Sequence, residues 1–211
     1  MANKKKVPSP KPFNPLQKET LGTSVADAML AQKPVFIKGL SEFNGAGIYA
    51  IYYTGNFPAY RKIKKENENG KFLFPVYVGK ADPSGSRKGR FGLEKNPGPV
   101  LFKRIREHAE NINQVTNIAL EDFFCRYLVV DDIWIPLGES LIIENFKPIW
   151  NLFLEGFGNH DPGKGRYNQQ RSAWDVVHPG RPWAEKCAPN NKSESQLLNE
   201  IKEFLKTPLH I

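Results

Sequence analysis

Arg104 and His108 stand four residues apart in RIREH, one turn from each other if that stretch is helical. A guanidinium beside an imidazole suits a phosphate. The first supplies charge, and the second a proton or a hydrogen bond near neutral pH. The plain alternative is a surface helix that carries a basic pair. A second group is Glu139 in IPLGESLIIENFKP, which shares a helical face with Ile142, Ile143 and Phe146. Glu144 is rotated about 140° away from it at the helical pitch. Glu139 is therefore expected to face inward near the start of its helix, and Glu144 to face water. A carboxylate on a buried side needs a divalent metal or an arginine, unless the dipole at the helix N-terminus holds it. The third group is a run of phenols, since GIYAIYYTG at 47–55 carries Tyr49, Tyr52 and Tyr53. In a strand, Tyr49 and Tyr53 share one face and Tyr52 takes the other. Aromatic residues favour strands for packing alone, so the run either packs or aims one phenol into a site.

These groups need rigid elements to hold them. TSVADAMLAQKP has a Thr or Ser cap, helix formers and a proline stop, which predicts a short helix. A strand follows at 47–54, then a polar connection, RKIKKENENGK, then a second strand, FPVYVGK, at 74–80. ADPSGSRKGRFGLEKNPGPV reads as a long basic Gly/Pro loop, a kind that is usually functional or disordered. VLFKRIREHAENI, 100–112, is amphipathic, with Leu101, Ile105, Ala109 and Ile112 on one stripe. FFCRYLVV, 123–130, is an apolar strand, and 135–148 is a helix ended by Pro148. After WNLFLEGFGNH the chain turns loop-like until an amphipathic helix at 194–206. Strand, strand, helix, strand, helix is an α+β layer arrangement.

Composition narrows the class. The 211 residues, 40% hydrophobic, are enough for one domain with a substantial core. A net charge of +8 favours a polyanionic partner, with a merely solvated basic surface as the alternative. Cys125 and Cys187 form neither a CxxC pair nor a disulfide framework, and the four histidines lack metal-ligand spacing, so no zinc site is expected. The basic N-terminus has no apolar segment of the signal-peptide kind, and no apolar run approaches a membrane span. Residues 1–20 are expected to form a mobile basic arm. These features predict a soluble, cytoplasmic protein.

Taken together, the motifs form a known set. GIY at 47–49, YVG at 77–79 with Lys80, Arg104 on the following helix, Glu139 on the next, then Pro148 and Asn151, resemble the GIY-YIG nuclease family. A valine stands where that signature has its second isoleucine. RIREH, GFGNH at 156–160 and WDVVHPGRPWAEKC at 174–187 are similar to the type II restriction endonucleases of this family that cut CCGCGG. One departure is the basic loop between YVG and Arg104, which leaves Arg87 and Arg90 as competitors for the phosphate-binding role; the helical platform beside His108 favours Arg104.

The resemblance implies a small antiparallel or mixed β-sheet flanked by helices. One domain, 21–211, would hold a core at about 45–155, a DNA-recognition extension at about 156–190 and the C-terminal helix. It further implies Mg²⁺-dependent hydrolysis of DNA phosphodiesters, with one divalent metal per active site on Glu139. Arg104 would bind a non-bridging phosphate oxygen. Tyr49 would orient or deprotonate the attacking water, its pKa lowered by the metal, Lys80 or His108. Tyr77 would hydrogen-bond the phosphate or the water, and Asn151 would orient neighbouring groups. G·C pairs are read mainly by Arg or Lys on guanine O6 and N7. Candidates for base or phosphate contacts are Arg87, Arg90, Lys164, Arg166, Gln169, Gln170, Arg171 and Arg181. A palindromic site on double-stranded DNA predicts a homodimer, and a cutter of common sites needs a protecting methyltransferase in its host. The alternatives are a repair or homing nuclease of the same fold and a catalytically silent DNA-binding module.

Overall fold

β-Branched and aromatic residues dominate GIYAIYY, PVYVGKA and FFCRYLV, and each stretch forms a strand of one sheet. The computed structural model describes residues 17–83 and 97–206. In chain order these form α1 (Lys18–Leu30), β1 (Val35–Phe36), β2 (Gly47–Tyr53), α2 (Arg61–Asn67), β3 (Pro75–Ala81), α3 (Val100–Gln114), β4 (Phe123–Val129), α4 (Ile135–Phe146), α5 (Ile149–Leu152), α6 (Ala173–Val177) and α7 (Glu194–Phe204). The four strands run in the order β1–β4–β2–β3 with every neighbouring pair antiparallel. The result is the α+β arrangement expected, with β1 as a strand the sequence reading did not name.

All seven residues of β2 are buried because helices cover both faces of the sheet. Tyr49, Ile51 and Tyr53 point toward α3, α5, α6 and α7, where they join Leu101, Ile105, Trp150, Trp174 and Ile201. Ile48, Ala50 and Tyr52 point toward α1 and α4, joining Met29, Ile135 and Ile142. Each such apolar side chain contributes about 1.5–3 kcal/mol relative to exposure. The apolar stripe of α3 is therefore what holds Arg104 and His108 against the sheet.

Three local expectations are corrected. Thr23 and Ser24 do not cap α1 but lie inside it, because the helix begins earlier, at Lys18, after Gln17. The arm expected over 1–20 is thus helical from Lys18 onward, and residues 1–16 lie outside the described residues. The polar connection RKIKKENENGK contains α2, whose inner face is Ile63 and Asn67, one turn apart. The segment after GFGNH is not loop throughout. Ser172 caps α6 by accepting from Asp175 N. Among the described residues no helix is long and apolar enough to cross a membrane.

Candidate active site

Tyr49 sits at the middle of β2, paired with Gly79 of β3. A Cβ at Gly79 would overlap the Tyr49 hydroxyl and approach Tyr49 Cζ to 2.7 Å. The bare backbone there lets the phenol cross β3 and lie beside Tyr77, ring centroids 6.2 Å apart. The Tyr49 hydroxyl ends 2.6 Å from His108 Nε2 on α3. His108 is fully buried. It is stacked on Phe157 at 4.5 Å between centroids and met edge-on by Tyr77 at 5.0 Å. Its Nδ1 has no hydrogen-bond partner among the described residues.

This burial corrects two expectations about charge. His108 does not flank the core stripe at the surface, and it is not a cation. Burial pushes its pKa well below the ordinary histidine range, with the Arg104 and Arg181 guanidiniums adding repulsion. The chain's own cations do not activate the Tyr49 phenol either. Burial, then Tyr77, push it well above its ordinary value, and Arg104 opposes them without prevailing. A neutral phenol therefore faces a neutral imidazole across a short hydrogen bond. Such a pair can hand a proton from oxygen to nitrogen.

Arg104 emerges from the same helix, partly covered, with its guanidinium beside both phenols. Nη1 donates to Glu107 Oε2 at 2.8 Å and to His160 Nε2 at 2.9 Å, while Nη2 reaches Gly158 O at 3.4 Å. Arginine only donates, so His160 accepts here through an unprotonated Nε2. The charge of Arg104 and the carboxylate of Glu139 both act on Tyr77, whose pKa burial raises.

Across β3, Lys80 Nζ pairs with Glu139 Oε2 at 3.1 Å, the two side chains being 32% and 21% exposed. Glu139 is the fifth residue of α4, beyond its first turn, so Lys80 and not the helix dipole is its partner. Burial raises the Glu139 pKa, Lys80 lowers it and Asp82 raises it. Glu144 is exposed. Asn151 clamps the outer edge of β3: its Oδ1 accepts from Val78 N and its Nδ2 donates to Val78 O, both at 2.8 Å. The amide takes the place of a neighbouring strand at the residue between Tyr77 and Gly79. Tyr49, Tyr77, Arg104 and His108 thus converge on one side of β3, with Lys80 and Glu139 at its other flank.

No group of three or more His, Cys, Asp or Glu side chains suited to a metal ion occurs among the described residues. One hard carboxylate fits Mg²⁺, which commonly keeps several waters and takes only one or two carboxylates beside substrate phosphates.

The expected DNA contacts separate into three kinds. Lys164, Arg166, Gln169 and Gln170 are exposed on the extension after the core. Arg171 is partly tied down, donating to Ala184 O at 3.0 Å and pairing with Glu185 Oε2 at 3.1 Å. Arg181 is a correction: it is fully buried and pairs with Asp175 at 2.6 Å, so its guanidinium cannot reach a DNA groove. Arg87 and Arg90 lie outside the described residues.

Residue types and spacing did not single out Phe157 or His160, which join the site from the segment after α5, nor Asn111 of α3. Asn111 Nδ2 donates to Phe157 O at 3.3 Å. Only the similarity of GFGNH as a segment pointed there. Residues 41–205 match the family model described as the Eco29kI GIY-YIG domain. None of the curated proteins compared matches the chain.

Proposed function

We propose that this chain, which belongs to the GIY-YIG nuclease family, is a type II restriction endonuclease acting on double-stranded DNA. The observation that carries the reading is the buried 2.6 Å hydrogen bond between Tyr49 and His108, set beside the Arg104 guanidinium. Tyr49 is the group that meets the attacking water. As water adds to phosphorus, it gives its proton to the phenol oxygen, which passes its own to His108 Nε2. Burial keeps that nitrogen unprotonated in the resting site. The phenol therefore need not ionise beforehand. Arg104 exchanges its surface partner Glu107 for a non-bridging phosphate oxygen and holds the charge that grows there. Tyr77 donates to the phosphate or the water, and Asn151 holds Tyr77 by its clamp on Val78.

Glu139 would hold one Mg²⁺, which when bound stabilises charge on the phosphate and on the leaving oxygen. Lys80 meanwhile holds that carboxylate in place. The P–O3′ bond breaks and the leaving oxygen takes a proton from solvent water, giving a 5′-phosphate and a 3′-hydroxyl. The exposed Lys164, Arg166, Gln169 and Gln170 are the candidates for contact with DNA, joined by Arg87 and Arg90. By the family match, the favoured site is the palindrome CCGCGG, read by a homodimer whose two-fold axis coincides with that of the DNA. A cytoplasmic enzyme of this kind needs a methyltransferase partner to protect host DNA.

The test is incubation with plasmid DNA and Mg²⁺ beside Glu139→Ala, followed by sequencing of any ends. Discrete ends at one palindrome, lost in the variant while DNA binding is kept, are expected. Tight binding without cleavage under any divalent metal would instead leave a DNA-binding scaffold.

A further inference from the structure

Arg181 uses every donor it has. Nε donates to Asp175 Oδ1 at 2.6 Å and Nη2 to Asp175 Oδ2 at 2.7 Å. Nη2 also donates to Gly156 O at 2.8 Å, and Nη1 to Phe157 O at 3.1 Å and Asn159 O at 3.2 Å. Five N–H groups thus meet five acceptors, and only arginine presents that planar fork. The guanidinium carbon lies 4.6 Å from the ring centroids of both Trp174 and Trp183. Asp175 is fixed in turn by Ser172 Oγ at 2.6 Å. Ser172 stands where a side chain at Gly156 would have to go, and Gly156 has φ +115°, so the loop has little freedom to repack.

The three carbonyls that Arg181 gathers belong to 156–159, the segment that closes over the site. Phe157 stacks on His108, Gly158 O accepts from Arg104, and His160 Nε2 accepts from Arg104 as well. A buried ion pair is a poor source of net stability, since its desolvation offsets its attraction. This one is aimed at a loop, and the loop at two reacting groups. We propose that Arg181 is a positioning residue of the nuclease: through Asp175 and the carbonyls of 156–159 it sets the placement of His108 and Arg104 relative to Tyr49. This role rests on the nuclease reading above. Its charge acts in the same sense, adding to burial and Arg104 in keeping His108 neutral.

The experiment separates binding from chemistry in Arg181→Lys, which keeps the charge and loses the fork. Affinity is measured on an uncleaved cognate duplex with Ca²⁺ in place of Mg²⁺, and single-turnover cleavage at saturating DNA with Mg²⁺. The expected result is a Kd within about threefold of wild type and a cleavage rate lower by about 10–100-fold, as befits displacement of reacting groups by up to about 1 Å. A weakened Kd with a shallower salt dependence would put the guanidinium on DNA and overturn the role. Unchanged cleavage would overturn it too. Should Arg181→Lys fail to fold, Phe157→Leu tests the same loop with Arg181 in place. The same rate loss at unchanged Kd supports the role, and full activity sinks it. If wild type cuts nothing, the nuclease reading itself falls; if wild type cuts and both variants cut equally, only the positioning role falls.

Discussion

Gly79 carries more of the site's geometry than its lack of a side chain suggests. The YVG motif requires a glycine because the phenol of Tyr49 lies where a Cβ at 79 would be. Gly79→Ala must therefore push the hydroxyl away from His108 Nε2, now 2.6 Å distant. Overpacking of this kind costs about 1–3 kcal/mol of stability. The rate is more sensitive, since a misplacement of about 1 Å can cost about 100-fold. The expected outcome is a folded protein that binds DNA with near-normal affinity and cleaves about 100-fold more slowly. Cleavage within about threefold of wild type would mean that Tyr49 need not sit where it does. Residue types and spacing identified Arg104, His108 and Glu139 as candidates because each is a polar group on a periodic apolar helix, whereas Tyr49 and Asn151 were singled out only by the family resemblance. They could not show that His108 is buried and neutral, since that depends on Phe157, which arrives from a distant loop.

At the scale of elements, β3 is an edge strand that is not left open, because Asn151 pairs with both backbone groups of Val78. Replacing Asn151 with Asp swaps the donating Nδ2 for an oxygen that faces the Val78 carbonyl. A lost hydrogen bond to a partly buried group, with an acceptor set against an acceptor, costs about 1–3 kcal/mol. Asn151→Asp should therefore lower the unfolding free energy by that amount and slow cleavage, because Tyr77 and Gly79 flank the released residue. Unfolding by urea together with single-turnover cleavage checks both; a variant with wild-type values in each would remove the clamp from the account. Elements with strong periodicity, β2 and α3 above all, were legible in the sequence to within a residue or two. α2 was not, because four of its seven residues are Arg or Lys. Its inner face depends on Asn67, whose amide bonds Tyr53 O, Phe74 O and Phe74 N. Such side-chain mimicry of backbone leaves no mark in hydropathy. Arg181 misled for the related reason that arginine is rarely buried, and only the fold reveals its five acceptors.

For the molecule as a whole, a buried polar chain joins four separate segments behind the site. Trp150 Nε1 donates to Tyr60 Oη at 2.8 Å, so that hydroxyl gives its own proton to His178 Nε2 at 2.7 Å. His178 Nδ1–H is then left to donate to Asn117 Oδ1 at 2.9 Å, and Asn117 Nδ2 donates to Val177 O at 2.7 Å. This arrangement requires a neutral imidazole. Burial, aided by Arg181, pulls the His178 pKa from 6.5 down to about 3. A depressed folded-state pKa means that the stabilisation is fully present above about pH 6.5 and is lost as pH falls toward 3, where the unfolded chain binds the proton that the folded chain refuses. Each unit below 6.5 removes about 1.4 kcal/mol, so about 2 kcal/mol is gone by about pH 5. His108 is depressed as well and adds a loss of the same sign. His178→Gln removes one of the two titrations. The variant should be less stable than wild type at pH 7, by about 1–3 kcal/mol for the broken chain. Between pH 7 and pH 5, however, it should lose about 2 kcal/mol less than wild type does. Urea unfolding of both proteins at the two pH values measures that difference directly. Parallel losses would show that His178 takes up no proton on unfolding. Acid sensitivity on this account belongs to the packing that joins the sheet to the extension after it, at pH values where the surface carboxylates are still ionised.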